Sequence, residues 1–388
     1  MTPSVLMFCD QFRPIVGGAE RQAEKLAKVM VKRGLRVTVL TTRLVSNTPE
    51  HEEDAGLVIH RFPLFDLCKR LPGVRGLGPL NLLSIRAQTI RAVAKHLDEA
   101  NVVHCHIASP MTAFAMQAAR QKGVPSLCTV ATCGLKTDLG ELTRIGLGGA
   151  YLAQAMIRQL NCWVAITQAV RRSLLDWGVA PDRIAMIANG VDLDGDSMAT
   201  QKVGVTRRFL YLGRLSTTAQ RDIPTLIRAF DRVAAQNPDV ELALVGDGDL
   251  FRETADLVAQ TRSRQRIQMP GLQKPETWLR WADCFILPSR REGLSNALLE
   301  AMAYGLPCIA NDIPPNREVL ADGAAGVLVP VGDEKRLFEA LQRMANDAVH
   351  AAVMRVAALS RVRLQYGIEA VVTSYIALYE ELIRNSGK

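Results

Sequence analysis

Residues 288–310, PSRREGLSNALLEAMAYGLPCIA, read as the end of a strand, a loop, a helix and the start of another strand. CFILPS leads into the stretch and PCIAN closes it. Both are apolar runs of strand length, and the helical periodicity between them makes the whole a βαβ unit. The same alternation extends in both directions. RFLYLG, ELALVG, RIQMPG and GVLVP are the other strands of the second half, with helices opening near Ile223, Leu250, Pro275, Ser295, Pro314 and Asp333. The first half supplies SVLMFC, RVTVLTT, LVIHRF, NVVHC, SLCTVA, CWVAI and IAMIA, with helices over residues 19–33 and 80–97 among those between them. Apolar strands separated by helices define an α/β class built on parallel sheets.

Each half carries enough strands for one Rossmann-like, doubly wound parallel sheet. Such sheets bind ligands beyond their carboxyl ends, so two domains facing a central cleft are expected. Residues 192–205, DLDGDSMATQKVGV, are polar and follow neither periodicity, as in an interdomain linker. The expected division is a first domain over 1–191, a linker over 192–205, a second domain over 206–366 and a closing helix in 367–388. IEAVVTSYIALYEELI carries an apolar stripe too broad for a free tail, and this helix is expected to cross back onto the first domain.

Composition removes several function classes. The 388 residues carry 47 Lys and Arg against 39 Asp and Glu, a net charge of +8. That surplus favours phosphate-bearing ligands or an anionic membrane surface. Aromatic residues at 5% are too few for a single-strand stacking platform, so no nucleic-acid partner is expected. No run approaches the roughly 18 to 20 apolar residues of a bilayer span, and MTPSVLMFCDQF lacks the features of a signal peptide. A cytoplasmic location, at most peripheral to the membrane, is the expectation. The eight cysteines lie mostly in apolar runs such as VLMFC and DCFIL, as small hydrophobes rather than a disulfide framework. His104-Cys105-His106 puts two histidines on one strand face, but no distant Cys or His pair completes a zinc set.

Within 288–310, Gly293 permits close backbone approach, Ser295 is a helix N-cap, and the unpaired amides of the next turn form an anion site suited to a diphosphate. Glu292 precedes that turn and Glu300 follows eight residues later. The interval would be about 12 Å were it all helical, which suits one carboxylate near a sugar and another near a ribose. The plainer alternative is an ordinary helix whose early acidic residues complement its dipole.

The phrase EGLSNALLEAMAYGLP resembles the E-x7-E signature of retaining glycosyltransferases of family four, enzymes of the two-domain GT-B fold. The two-half organisation, the Gly17-Gly18 loop after the first strand and the closing helix are similar to that family as well, so the resemblance covers nearly the whole chain. It implies that Glu292 contacts hydroxyls of the transferred sugar, that Gly293 and the amides of Leu294, Ser295 and Asn296 hold the donor diphosphate, and that Glu300 binds the ribose. It also implies that Arg214, after Gly213, is a phosphate cation, that Asp247 lies in a turn beside the nucleotide, and that Gly271 and Leu272 approach the base. Gly17 and Gly18 then face donor and acceptor across the cleft. With helix-end amides and cations balancing the diphosphate, catalysis needs neither a metal nor a cofactor. The D-x-D patterns at 192–194 and 247–249 sit at a hinge and a strand-end turn, which is not a metal-binding context.

Two departures qualify the resemblance. The family's usual Lys is replaced in GRLSTTAQRDIPTLIRAF, where alignment back from TLIRAF selects Arg221, a fork in place of a point charge. The His expected after SLCTVA is missing, and Thr132 and Cys133 stand there as acceptor or sugar-side candidates, with His104 and His106 on an earlier strand as others. FRPIVGGAE is not G-x-G-x-x-G, which excludes a nicotinamide fingerprint at that loop. The expected function is retaining transfer from a nucleotide-sugar, a UDP-sugar, to a glycan or lipid-linked acceptor. A non-catalytic nucleotide-sugar-binding protein is the rival, with a nucleotide-sugar epimerase third. Residues 68–97 carry Lys69, Arg70, Arg75, Arg86, Arg91 and Lys95 among Leu77, Leu80 and Leu83, a mixture suited to an anionic membrane or to a solvated basic helix.

Overall fold

The computed structural model describes residues 3–15, 17–70, 77–133, 137–145, 147–193, 204–217 and 220–387. The chain divides into two compact units, Met1–Gly190 with Ile368–Lys388, and Val191–Gly367. Most of the expected linker, 194–203, lies outside the described residues.

The first unit holds β1 (Ser4–Cys9), β2 (Arg36–Thr42), β3 (His51–Asp54), β4 (Leu57–Phe62), β5 (Val102–His106), β6 (Ser126–Val130), β7 (Cys162–Ala165) and β8 (Ile184–Met186). They form one sheet in the order β3-β4-β2-β1-β5-β6-β7-β8. The strand order reverses at β1, whose neighbours are β2 and β5. Every pairing is parallel except that of β3 with β4. The expected parallel sheet is present, and β3 is an antiparallel edge strand added to it that the sequence reading did not find. HEED has no apolar alternation, so hydrophobic patterning cannot reveal an edge strand whose stability comes from a two-residue turn and ion pairs. Arg13 supplies those ion pairs, reaching Glu52 at 2.7 Å, Asp54 at 2.8 Å and Glu24.

The helix Gly18–Lys32 buries Ala23, Leu26, Ala27 and Met30 against β1 and β2. The last helix, Ile368–Asn385, joins the same core through Val371, Val372, Tyr375 and Tyr379. Its exposed side is tied to the helix Gly18–Lys32 by the ion pair of Arg33 with Glu369.

The second unit holds β9 (Arg208–Leu212), β10 (Glu241–Val245), β11 (Ile267–Gly271), β12 (Cys284–Leu287), β13 (Cys308–Asn311) and β14 (Val327–Val329). Its sheet is parallel throughout, ordered β11-β10-β9-β12-β13-β14. The helix Ile223–Gln236 presents Leu226, Ile227, Phe230 and Val233 to β9 and β10, a stripe at helical spacing that forms the heart of this core.

Candidate functional site

In the second sheet the order reverses between β9 and β12, which pair in parallel. Their carboxyl ends therefore open the crevice where doubly wound sheets take ligands. Arg214 leaves β9 there and the 288–295 loop leaves β12. Arg214 is exposed at the end of β9. Its carbonyl accepts a hydrogen bond from Tyr211 Oη at 3.0 Å. Burial pushes the Tyr211 phenol up to about 12, with Arg221 opposing the shift, so the hydroxyl stays a donor.

The approach of β10 to this turn requires glycine. Gly246 has φ +148°, and a Cβ there would lie 1.8 Å from the carbonyl oxygen of Gly213. Asp247, next in line, accepts from the Gly248 amide at 2.8 Å, and its own carbonyl accepts from Leu215 N at 3.0 Å. Asp249 holds Thr217 through Oγ1 at 2.6 Å. The acidic turn thus fastens the loop after β9.

That loop returns to β12 before the helix Ile223–Gln236 begins. Asp222 N donates to Pro288 O at 2.7 Å, Arg290 N donates to Gln220 O at 2.9 Å, and Arg221 bridges Ser289 in antiparallel fashion. The backbone brings Arg221 onto Glu292: Nη2 lies 2.8 Å from Oε1, with the side chains only 16% and 13% exposed. Ser289 Oγ donates to the same Oε1 at 2.9 Å, and Arg221 Nη1 donates to Arg291 O at 3.3 Å. Burial raises the Glu292 carboxyl above its ordinary value, and Arg221, Ser289 and Arg291 pull it back. A carboxylate held in one orientation by a guanidinium nitrogen and a hydroxyl suits recognition of sugar hydroxyls. Ser289 and Tyr211 were not singled out in the sequence. Tyr211 carried a faint signal, a polar-tipped aromatic beside Gly213 at a strand end.

The helix after this loop is Asn296–Ala303, capped by Ser295, whose Oγ accepts from Leu298 N at 3.3 Å. The interval from Glu292 to Glu300 is therefore a loop followed by a turn of helix, not one continuous helix. Gly293, Leu294 and Ser295 are buried beside the helix start, Asn296 is half-buried, and Glu300 lies half-buried in its second turn. Gly271 ends β11 with φ +74°, its carbonyl accepting from Gly246 N at 2.9 Å, and Leu272 beyond it is 70% exposed. Residues from the ends of β9, β10, β11 and β12 thus gather at one end of the second sheet.

In the first unit, Gly17 is the N-cap of the helix Gly18–Lys32. A Cβ on Gly17 would lie 2.2 Å from the Glu20 carboxylate, so that carboxylate folds back over the loop. His104 is a correction to the expected acceptor-side set. It is fully buried, Nδ1 pairs with Tyr379 Oη at 2.6 Å and Nε2 with Thr129 Oγ1 at 2.8 Å. It is a core histidine that ties β5 to β6 and to the last helix. His106 stacks on it at 4.3 Å and is 7% exposed. Thr132 Oγ1 donates to Asp138, whose other oxygen accepts from Ala131 N at 3.1 Å, and Cys133 is buried. Among the described residues no group of His, Cys, Asp and Glu is arranged to hold a metal ion. No described helix is long and apolar enough to cross a membrane.

Comparisons with known proteins bear on both units. The model of "Glycosyltransferase Family 4" matches residues 16–195, and that of "Glycosyl transferases group 1" matches 206–347. The phosphatidyl-myo-inositol mannosyltransferase of Mycobacterium leprae is 27% identical over 98% of both chains. The N-acetyl-alpha-D-glucosaminyl L-malate synthase of Bacillus anthracis is 25% identical over 96% of both. A solved Anabaena structure in complex with UDP shares the fold at a TM-score of 0.75 and 16% identity, over 97% of this chain and 100% of that one. With two Rossmann-like units of the GT-B class, each matched by a glycosyltransferase model, the chain belongs to glycosyltransferase family four and is a sugar-transferring enzyme.

Proposed function

We propose that this enzyme transfers a sugar from a UDP-sugar to a hydroxyl of a glycan or glycolipid precursor, with retention at the anomeric carbon and without a metal or cofactor. The observation that carries the reading is the Arg221–Glu292 pair at the point where the second sheet reverses, one turn before a capped helix start. Glu292 orients the transferring sugar and Glu300 the ribose. The residues around Gly271 and Leu272 flank the base, with Asp247 in the turn beside the nucleotide. The amides of 294–296, Arg214 and Arg221 carry the diphosphate charge, which grows as the sugar leaves. The anomeric C–O bond breaks with its electron pair passing to the diphosphate. The acceptor oxygen bonds the same face of the carbon, and its proton leaves on the diphosphate.

In the first unit, Gly17, Gly18, His106, Thr132 and Cys133 stand on the acceptor side. Leu80 and Leu83 are 59% and 58% exposed on the helix Gly78–Ala94, which contains no acidic residue, and Arg70 stacks over Phe65 at 4.6 Å. This basic, apolar surface suits a lipid-linked acceptor met at an anionic membrane on its cytoplasmic side. The relatives that act on phosphatidyl-myo-inositol and L-malate mark the range of acceptors to screen.

The test is a panel of nucleotide sugars, scored for thermal stabilisation and for release of the free nucleotide, with the product anomer assigned by NMR. Nucleotide release and a product of the donor's own anomeric configuration are expected. Stabilisation without turnover over the whole acceptor panel would leave a binding protein, and an inverted product would remove the retaining mechanism.

A further inference from the structure

The helix Ala348–Gln365 of the second unit, AVHAAVMRVAALSRVRLQ, runs for 18 residues without an acidic one. One side of it is built into the unit. Ala351, Ala358 and Val362 are buried there, and the helix packs against Asn296–Ala303, which carries Glu300. The opposite side is apolar as well. Val349, Val353, Val356 and Leu364 are between 54% and 81% exposed, with Ala352 and Ser360 exposed among them. At 100° per residue these positions fall within a sector of about 120°. Four branched side chains at that exposure leave an apolar stripe on the order of 400 Å², a patch size that on a monomer marks an interaction site. Valine also lowers helix propensity, so a helix surface meant only for water has no use for three of them.

The spacing defines the partner that fits. Val349, Val353, Val356 and Ser360 follow one another at intervals of four, three and four, the alternation of a seam between two helices. Val353 and Val356 lie near the middle of the stripe. A second copy laid antiparallel across a two-fold axis therefore sets Val353 and Val356 against the same two valines in reverse order, with Val349 near the Ser360–Leu364 end of the other chain. Charge selects this direction. Arg363 stands in the last turn, and the N-cap is Asp347, whose carboxylate accepts from His350 N at 2.9 Å and lies 3.6 Å from Arg343. Parallel copies would bring Arg363 onto Arg363, whereas antiparallel copies bring the basic turn over the acidic cap and oppose the two helix dipoles. A membrane surface fits less well. Arg355 is half-buried near Asp283, and Arg361 donates to Glu318 O at 2.9 Å and to Val319 O at 3.3 Å, so two of the helix's three arginines are turned into the protein. The stripe also lacks the Trp and Phe of interfacial helices.

We propose that the exposed face of the helix Ala348–Gln365 is the interface of a homodimer, in which two copies pack antiparallel about a two-fold axis near Val353 and Val356. The two stripes with their flanking residues bury on the order of 1,000 Å², the lower end for a specific pair, so association in the micromolar range is expected. The interface does not depend on the glycosyl-transfer reading, because it takes no residue from the donor or acceptor side.

Sedimentation equilibrium of the full chain, from about 1 to about 200 µM, measures the association, with circular dichroism as the check on folding. A dimer is expected for the parent. Val353→Glu and Val356→Lys, both at exposed positions, are each expected to raise the dissociation constant at least ~100-fold. An equimolar mixture of the two is expected to associate again, because antiparallel packing sets the new carboxylate of one chain against the new ammonium of the other and keeps the valine contact across the axis. Val356→Ala, a milder change, is expected to weaken association roughly 10-fold and serves should either charged variant fail to fold. A parent that stays monomeric at the highest concentration overturns the proposal. So does a dimer whose affinity none of the substitutions changes, or a mixture of folded variants that stays monomeric. Flotation with anionic and neutral vesicles is run in parallel. Vesicle binding that both charged variants lose, with no dimer in solution, gives this face to a membrane and overturns the homodimer.

Discussion

Replacing Arg221 with Met removes the cation beside Glu292 while keeping most of the side-chain volume. At 2.8 Å and an effective dielectric of about 20, the gross attraction between the two is about 6 kcal/mol. Desolvation of both groups offsets much of it, and loss of one partner from a fully buried pair costs roughly 3 to 5 kcal/mol. With the side chains 16% and 13% exposed, water recovers part of that, and about 2 to 3 kcal/mol is expected here. For a unit of this size, such a loss lowers the melting temperature by roughly 4 to 12 °C.

The sign of the pH dependence follows from the buried carboxyl. Burial already holds Glu292 above its ordinary value in the folded protein. A folded carboxyl that keeps its proton more tightly than the unfolded one favours the fold at low pH, and this contribution is lost as pH rises through the folded value. Met removes the group that opposes the shift. The variant's deficit is therefore largest near about pH 8 and shrinks toward about pH 5, where a proton takes the place of the guanidinium. Differential scanning calorimetry of parent, Arg221→Met, Glu292→Gln and the double variant measures the coupling directly. A single variant melting within about 1 °C of the parent near pH 8, or a deficit that does not change with pH, would refute the argument.

Glu292→Gln is expected to lower turnover at least ~100-fold with little change in nucleotide affinity, and near-normal turnover would take Glu292 out of the reaction. Glu300→Ala is expected to weaken donor binding by roughly 1 to 3 kcal/mol in titration calorimetry, and equal affinity would contradict its contact with ribose. Activity is expected to persist in excess chelator, while Arg214→Ala cuts turnover sharply; inactivation reversed by one divalent ion would point to a metal instead. In flotation assays the chain is expected to rise with anionic vesicles at low salt and to lose that preference when Leu80 and Leu83 become Glu; equal binding to neutral vesicles would oppose membrane docking.

The alternation of apolar runs made both sheets readable, because strands buried between helices must be apolar along their length. It failed at β3, where the stabilising terms are a turn and the carboxylates around Arg13, and neither leaves a hydrophobic period. The N-cap at Ser295 was equally legible, since one side chain and the amides of the next turn decide it. The geometry between Glu292 and Glu300 was not, because a count of eight residues gives a distance only once the helix start is known.

His104 and His106 show where reading by residue type runs out. Two residues apart on one strand, they share a face, and the sequence treats them alike. The structure separates them by depth. His104 meets Tyr379 from a helix more than two hundred residues away and Thr129 from the next strand, so both nitrogens are satisfied inside the core. His106, one step nearer the strand end, keeps an unpaired Nε2 beside a residue with strained backbone. The pair of Arg221 with Glu292 has the same origin. Two charged residues seventy-one positions apart meet because the β9 loop pairs with the end of β12, a contact set by strand order rather than by local sequence. Strand order decides which loops become neighbours, and the buried pair of Arg221 with Glu292 lies where the order of the second sheet reverses.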